Sequence, residues 1–313
     1  MAPRRRLLPR EQRIIRRYLG RAPAEIQNLF LRSVEEQLGA IRLEQVSSAI
    51  AVQEAVPRIG QVYTYVRIET LIGAFQVNLE PLLRRLINRA GELALPVFDE
   101  VMAFASPTNL DLYRQLASQA AREIVAEQVT LIRRQARETI KRIVDEGFAE
   151  RLSPDQIARR IRDVVGLDDR RAQALERFAA RLRARPGDLT PAEVEHEIRL
   201  EYRRKLKSRA ATIGRTETSH AAARAQRAIW DTAVAEGRLR PSRYVRVWMR
   251  VAGAQECPIC GPLNGKRARL DGGYYESEGV TYDSPPGHPN CVCGETLEDW
   301  QEGDELLPVR AAA

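Results

Sequence analysis

Apolar residues recur at steps of three and four along most of the chain before residue 240. In the segment that begins at Pro23, the apolar positions are Ile26, Leu29, Phe30, Val34, Leu38 and Ile41. This spacing places the apolar side chains on one face of an α-helix. The segment 106–148 has the same character, and its apolar stripe includes Ile140, Ile143, Val144 and Phe148. The pattern therefore predicts long amphipathic helices.

The segment 61–75 is less regular. Its residues Val62, Thr64, Val66 and Ile68 alternate like a strand, whereas its length and flanks favour a helix, and we predict a helix. Gly91 and Pro96 are expected to break the helical segment that follows, and Gly147 is expected to interrupt the next one.

Three helix starts carry capping signals. Ser153 stands three residues before Gln156, so each side chain can bond the backbone N–H of the other residue. Thr190 and Glu193 repeat this signature. Between these two starts, one of the aspartates at 168–169 is suited to cap a further helix.

The pattern changes after Gly237, where Pro, Gly, Tyr and short β-favouring pieces such as RYVRVWMRV replace the helical period. We predict a mainly α fold, with an elongated helical N-terminal and central region and a small C-terminal α+β module. The predicted domains are a helical N-terminal region at 1–150, a helical central region at 151–240, and a small metal-knuckle module with a tail at 241–313.

Composition agrees with this fold class, because 44 % of the 313 residues are hydrophobic and only 6 % are aromatic. The formal net charge is +8, and arginines are densest near the start of the chain, at Arg4, Arg5, Arg6, Arg10, Arg13, Arg16 and Arg17. Such a basic arm can contact DNA phosphates or an acidic partner. A solvated helix face has the same composition, so charge alone does not choose between these interpretations.

No apolar run approaches the roughly 20 residues that span a bilayer, and the first residues lack the apolar core of a signal peptide. We therefore expect no membrane partner and a chain that is made and kept in a cytosol. In that reducing compartment, clustered cysteines are more often metal ligands or redox groups than disulfides.

All four cysteines lie in the last fifth of the chain. Cys257 and Cys260 form a C-x-x-C knuckle, and His288, Cys291 and Cys293 follow in HPNCVC. Two-residue gaps let neighbouring ligands reach one ion from a tight turn, which predicts zinc, although iron also suits these donors. The preferred ligand set is Cys257, Cys260, His288 and Cys291, with Cys293 as the alternative to His288 if the local turn directs it inward. Residues two apart in an extended chain face the same side, so binding by both Cys291 and Cys293 is a further alternative. Free or disulfide-forming cysteines are the competing interpretation.

The predicted site is structural rather than catalytic. The chain contains no H-E-x-x-H motif and no match to the deaminase pattern of H-x-E with P-C-x-x-C. Four or more soft ligands favour a closed site that holds together residues 250–297, which contain few apolar residues. We therefore predict a non-enzymatic protein with no catalytic residues.

Arg215, Thr216 and Glu217 stand near the start of an alanine-rich helical segment. They are candidates for a recognition or catalytic role, but support of the helix by capping and ion pairing is the favoured interpretation. His220 and His196 are expected to be ordinary packing or surface residues. Trp230 and Trp248 are expected to pack at the junction between the helical part and the cysteine-bearing part. Packing over the metal turn and a contact surface are the two interpretations of Tyr274, Tyr275 and Tyr282.

Four stretches in order, SPDQIARRIRDVVGL, IGRTETSHAAARAQRAIW, CPICGPLNGK and PPGHPNCVC, carry a resemblance to a known family. Over residues 150–297 the chain resembles the minor head proteins of tailed bacteriophages, the Mu F-like head morphogenesis family. The family's characteristic positions fall on Arg215, Thr216, Glu217, Cys257, Cys260, Leu263, Gly265, His288, Pro289, Cys291 and Cys293. An Asp that often precedes the first Cys is missing here, where the sequence is VAGAQEC.

The resemblance implies a virion structural protein that acts in head assembly, DNA packaging or DNA delivery. Its implied partners are the portal protein and other capsid or scaffold proteins, with non-specific contact to double-stranded DNA as a further expectation. The implied location is inside the head near the portal, and the host cytoplasm during assembly.

Two other functions remain open at this stage. A metal-dependent nuclease of the His-Asn-His type is suggested by His288 and Asn290 between knuckle cysteines, although a second histidine is missing there. A zinc-stabilised DNA-binding protein is suggested by the basic arm, and its affinity would fall steeply with salt.

Overall fold

The structure is a computed structural model that describes residues 6–7, 9–51, 59–184, 189–250 and 257–300. Its helices are α1 Pro9–Tyr18, α2 Ala22–Ala40, α3 Leu43–Ile50, α4 Ile59–Tyr65, α5 Ile68–Met102, α6 Leu110–Ala149, α7 Pro154–Arg162, α8 Asp169–Arg183, α9 Pro191–Ala235 and α10 Cys260–Leu263. Its strands are β1 Arg6–Leu7, β2 Tyr244–Met249, β3 Arg267–Arg269, β4 Tyr275–Ser277, β5 Val280–Tyr282 and β6 Gly294–Asp299. The predicted mainly α class with a small strand-containing C-terminal region is confirmed.

Some of the sequence predictions fall outside the described residues. These are Arg4 and Arg5 of the basic arm, the segment 251–256 before the first cysteine, and the tail at 301–313.

The chain divides into two compact units. One unit contains Met1–Glu25, Glu80–Ile124 and Thr212–Ala313, and the other contains Ile26–Leu79 and Val125–Ala211. We call the first the metal unit, because it contains the five predicted metal ligands, and the second the helical unit. The two units are interleaved along the chain, so they do not follow the consecutive segments 1–150, 151–240 and 241–313, whose status as separate domains stays a prediction.

The helical unit is built on the apolar stripes that the sequence pattern predicts. The rings of Phe30 and Phe75 meet edge to face with their centroids 5.6 Å apart, and both residues are fully buried. The buried Arg209 guanidinium lies 5.3 Å above the Phe30 ring and donates to the Gly166 carbonyl at 2.7 Å and to Gln135 at 2.8 Å. These hydrogen bonds offset the cost of burying the Arg209 cation.

The predicted helix caps form. Ser153 and Gln156 make the reciprocal capping box at the start of α7, and Asp168 accepts the Arg171 backbone N–H at the start of α8. At the start of α9, the carboxylate of Glu193 accepts the backbone N–H of Thr190 at 2.7 Å. These starts depend on residues three positions apart, which is why a sequence pattern identifies them.

The predicted break at Gly91 and Pro96 is wrong, because α5 runs through both residues. A β-carbon at Gly91 would lie 1.9 Å from the Tyr113 hydroxyl oxygen, so the missing side chain makes room for the tyrosine ring. The Tyr113 hydroxyl donates to the Ile87 carbonyl at 2.6 Å. Packing thus overrides helix propensity at this position. At Gly147, α6 continues for two more residues, to Ala149.

The substitution Gly91→Ala is expected to destabilise the protein by about 1–3 kcal/mol, because Tyr113 has to move away from α5. Gly73→Ala in the same helix is the matched control, since a β-carbon there meets nothing within 4 Å. The control should raise the free energy of unfolding by up to about 1 kcal/mol through helix propensity. Urea denaturation measures both changes, and equal effects of the two substitutions would contradict this account of Gly91.

The metal unit contains a four-stranded antiparallel sheet in the order β1-β6-β2-β3, and β4 pairs with β5 as a separate hairpin. Strand β2 lies in the predicted β-favouring segment. Strand β1 pairs with β6 through the register Leu7↔Leu297, so residues near the start of the chain complete the C-terminal sheet. This pairing was not predicted, because the composition of the first residues indicates only a basic arm.

Within the described residues, no helix is both long enough and apolar enough to cross a membrane.

Candidate metal centre

The five predicted ligands come together in the metal unit. The donor atoms of Cys257, Cys260 and His288 lie within 4.8 Å of one another, and those of Cys260, Cys291 and Cys293 do so as well. The two triplets share the Cys260 sulfur. None of the four cysteines, all of which lie in the described range 257–300, forms a disulfide. The cluster could therefore hold a metal ion.

The first knuckle is a tight turn that leads into α10. The backbone N–H of Cys260 points at the Cys257 sulfur with a nitrogen–sulfur distance of 3.4 Å, and the Gly261 N–H donates to the Cys257 carbonyl. Gly265 then turns the chain with a φ of +83°, a conformation that favours glycine. Its backbone N–H donates to the Trp248 carbonyl at 2.8 Å, which ties the knuckle to β2.

The second knuckle brings both of its cysteines inward. The Cys291 N–H donates to the His288 carbonyl, and the Cys291 sulfur lies 3.4 Å from the Cys260 sulfur. Cys260, Cys291 and Cys293 are all buried. The sequence left open whether Cys293 points toward the site, and the fold directs it there.

His288 is oriented as a ligand. Its Nδ1 atom lies 2.8 Å from the Pro289 carbonyl oxygen, and its Nε2 atom lies 3.0 Å from the Cys257 sulfur. A carbonyl can only accept a hydrogen bond, so this contact assigns the proton to Nδ1 and leaves the lone pair of Nε2 facing the cluster. Metal-binding histidines are commonly held in this way.

The thiols influence each other's protonation. Hydrogen bonding from Cys293 lowers the pKa of Cys291 to about 5, whereas burial raises the pKa of Cys260 to about 12. The pKa of Cys293 is raised as well, mainly by its hydrogen bond to Cys291 and then by burial. Without a cation the cluster thus accommodates one thiolate readily, and a divalent ion would allow the other thiols to lose their protons.

A small apolar cluster surrounds the buried sulfurs. It contains Trp248, Cys260, Leu263, Ala268, Tyr275, Cys291 and Cys293, with Tyr282 against it. The Trp248 ring meets Tyr275 and Tyr282 edge to face, at centroid distances of 5.2 Å and 6.0 Å. Two of the three loop tyrosines thus pack beside the cysteines.

The indole N–H of Trp248 indicates whether the surroundings of the site suit a metal-bound thiolate. The indole N–H of Trp248 is buried and has no hydrogen-bond partner in the part of the chain that the structure describes. Trp248 belongs to the same buried cluster as Cys293. A metal-bound thiolate at Cys293 is an acceptor for this N–H, so the surroundings fit an ion held by thiolates.

The Arg215-Thr216-Glu217 element contacts the second knuckle. The Arg215 Nε donates to the Asn290 side-chain oxygen at 2.8 Å, and the Asn290 backbone N–H donates to the Thr216 hydroxyl oxygen at 3.0 Å. Asn290 has a φ of +63° and stands between His288 and Cys291. Glu217 is buried in the same helix. The element therefore holds the turn that presents two ligands.

The substitution Thr216→Val is expected to lower metal affinity by about 10-fold, because the turn at Asn290 loses an anchor outside the ligand set. Thr218→Val is the matched control. Both hydroxyls donate to a carbonyl one turn back in α9, but only the Thr216 oxygen accepts from the knuckle. Competition titration with a chromogenic zinc chelator measures the affinity, and equal losses in both variants would contradict this role.

The remaining histidines lie elsewhere. His196 is exposed on α9, and burial lowers the pKa of His220 to about 4, so His220 is neutral. Neither joins a potential metal-binding group among the described residues. Trp230 is fully buried, as expected of a packing residue.

Sequence reasoning missed the approach of Arg16 to Gly294, the residue directly after Cys293, and it missed the anchoring role of Asn290. A sequence signal for Asn290 existed, because Asn tolerates a positive φ better than most residues. No local signal distinguished Arg16 from the other arginines of the arm. Of those arginines, Arg10, Arg13 and Arg17 are exposed.

Comparison with known proteins adds no relative to this description: no family model, no curated protein and no solved structure matches the chain.

Proposed function

We propose that this protein is a minor head protein of a tailed bacteriophage, a virion structural component that works at the portal vertex in head assembly, DNA packaging or DNA delivery. The observation that carries the proposal is the contact of Arg215 and Thr216 with Asn290. It joins two of the motifs on which the resemblance rests, although they stand about 75 positions apart. A shared role in one assembly explains why both occur together.

We further propose that the metal is zinc and that its role is structural. Three thiolates with an imidazole, or four thiolates, suit a tetrahedral zinc site. Cys257, Cys260 and Cys291 fill three positions, and His288 and Cys293 compete for the fourth. Such a site supplies folding energy and has no need of a coordinated water for catalysis.

The test of the phage role is co-purification. The protein is co-expressed with portal, capsid and scaffold proteins from the same genome, and procapsids are isolated by sedimentation. The proposal expects the chain in the procapsid fraction and in a complex with the portal protein. Its absence from both fractions, despite soluble expression, would reject the role.

DNA binding is a second function with an observation in its favour. Arg10, Arg13 and Arg17 are exposed on α1, and their steps of three and four place them on one face of that helix. Phosphate contacts would make the affinity fall steeply with salt. Absence of DNA binding at low salt would reject it. The nuclease alternative predicts plasmid cleavage with added magnesium or manganese, and no cleavage would reject that activity.

A further inference from the structure

Arg16 differs from the other arginines of the basic arm in its surroundings. It lies on α1 and is half-buried, whereas Arg13 and Arg17 are exposed. Its side chain lines a cavity of about 170 Å³, together with Cys293, Gly294, Thr218 and Ser219. The cavity thus adjoins the metal centre on the side of α1.

The guanidinium approaches the chain directly after the last cysteine. A β-carbon at Gly294 would lie 2.8 Å from Arg16 Nη2, so the cation occupies the space that any larger residue would take. The glycine is not in the left-handed region. Its lack of a side chain is therefore needed for the approach of Arg16 and not for the backbone conformation.

No carboxylate of the described residues pairs with Arg16. Its guanidinium lines one cavity with Cys293, whose sulfur lies within 4.8 Å of the Cys291 sulfur. A cation that is partly removed from water is costly unless an opposite charge faces it. The thiolates of the metal centre are the available anions.

The charge of a metal-thiolate centre requires such a partner. A divalent ion with three thiolates and a neutral imidazole keeps one negative charge, and with four thiolates it keeps two. A negative centre among Trp248, Leu263 and Tyr275 is poorly solvated. A cation on its open side lowers the cost of keeping the ligands deprotonated.

We propose that Arg16 is a positioning residue of the metal centre that supplies the counter-charge for the metal-bound thiolates of Cys291 and Cys293. This inference rests on the metal centre proposed above. It assigns α1 to the metal site, because the helix brings the cation from a position about 275 residues before the nearest of these cysteines.

A soluble anion in the cavity is the competing explanation of the unpaired guanidinium. The negative metal centre disfavours it, since an anion beside Arg16 would face like charge at short range. The cavity wall is also largely apolar, with Ile15, Leu19 and Val292 among its residues. The thiolates themselves are therefore the better partner.

The test measures zinc affinity of the full-length protein by chelator competition. Arg16→Gln is expected to lower the affinity by about 10-fold to 100-fold, the range for groups that act through a ligand. Gly294→Ala should lower it in the same direction by displacing the guanidinium without straining the backbone. Arg16→Lys should keep most of the wild-type zinc affinity, and the matched control Arg17→Gln should leave the affinity unchanged.

Cobalt substitution provides a readout that a purely structural role would not move. Loss of a nearby cation raises the energy of the thiolate lone pairs, so Arg16→Gln should shift the thiolate-to-cobalt charge-transfer band to longer wavelength. Arg17→Gln should not shift it. Circular dichroism of each variant establishes that the helices are retained.

The outcomes separate the two levels of the proposal. If the wild-type protein binds neither zinc nor cobalt, the metal centre itself is rejected. If it binds metal and both Arg16→Gln and Gly294→Ala match it in affinity and spectrum, only the role of Arg16 is rejected. If sodium phosphate stabilises the wild type but not Arg16→Gln, the guanidinium serves a free anion and the inference is overturned.

Discussion

Replacing Cys260 by serine is expected to abolish stable metal binding. Its sulfur is the one donor common to both triplets, so its loss leaves only two close donors on either side. The affinity should fall by more than about 100-fold, because changes outside the ligand set already cost 10-fold to 100-fold. Metal content after gel filtration under reducing conditions is the measurement.

The same substitution should release the C-terminal strands. The apolar cluster there is small, and binding of a structural zinc contributes about 10–16 kcal/mol in isolated zinc fingers. Amide hydrogen exchange is expected to rise across 257–299 while the helical unit keeps its protection. Exchange that stays slow in that range, or metal that stays bound, would contradict the assignment.

Single substitutions at His288 and Cys293, which compete for the fourth ligand position, should have smaller effects on metal affinity. Cys293→Ser and His288→Ala should each weaken binding less than Cys260→Ser does, because the other donor still offers a fourth ligand. His196→Ala is the control, since His196 is exposed on α9. If Cys293→Ser and His288→Ala both match Cys260→Ser, all five residues are required and the four-ligand site is wrong.

The second large effect is expected at a buried ion pair in the same unit. Arg246 Nη1 lies 2.6 Å from a Glu295 carboxylate oxygen, and both side chains are 2 % exposed. The guanidinium also donates to the carbonyls of Arg269, Asp283 and Gly273, and the Tyr275 hydroxyl donates to Glu295. One arginine on β2 thus joins β6 to the loops on both sides of the β4–β5 hairpin.

Arg246→Met is expected to destabilise the protein by about 3–5 kcal/mol, because it leaves the Glu295 carboxylate buried without a cation. Arg269→Met is the control. Arg269 and Asp271 form an exposed pair, for which a loss of no more than about 1 kcal/mol is expected. Urea denaturation followed by tryptophan fluorescence reports on Trp248 in this unit. Equal effects of the two substitutions would refute the role of the buried pair.

The two predictions concern different means of stabilising one region. The candidate metal ligands lie on two loops that an ion would join, and the Arg246–Glu295 pair joins strands and loops of the same unit. Both replace apolar burial, which is limited around the cysteines. Metal removal and Arg246→Met should therefore each weaken the C-terminal strands, and the combination should be more severe than either change.

Much of the fold was accessible from short-range patterns. The helices follow from apolar periodicity, and the starts at Ser153 and Thr190 follow from side chains that cap a backbone three residues away. The break expected at Gly91 failed for a non-local reason. Tyr113, which lies on the next helix, occupies the space above the glycine, and such a partner leaves no trace in the spacing around Gly91.

The residues of the candidate site could be predicted from the sequence, but their arrangement in space could not. The five candidate ligands followed from two-residue gaps, which are local. The inward direction of Cys293, the anchoring of Asn290 by α9 and the approach of Arg16 depend on how distant segments pack. The pairing of Leu7 with Leu297 is of the same kind.

By itself the sequence determined the helical character of the chain, its capped helix starts and the set of five metal-ligand candidates, because each depends on residues within a few positions of one another. Only the tertiary structure decided that α1 and β1 join the metal unit and that α9 holds the second knuckle. Those contacts arise when segments about 70 to 290 positions apart bury apolar surface together, and residue spacing carries no information about such partners.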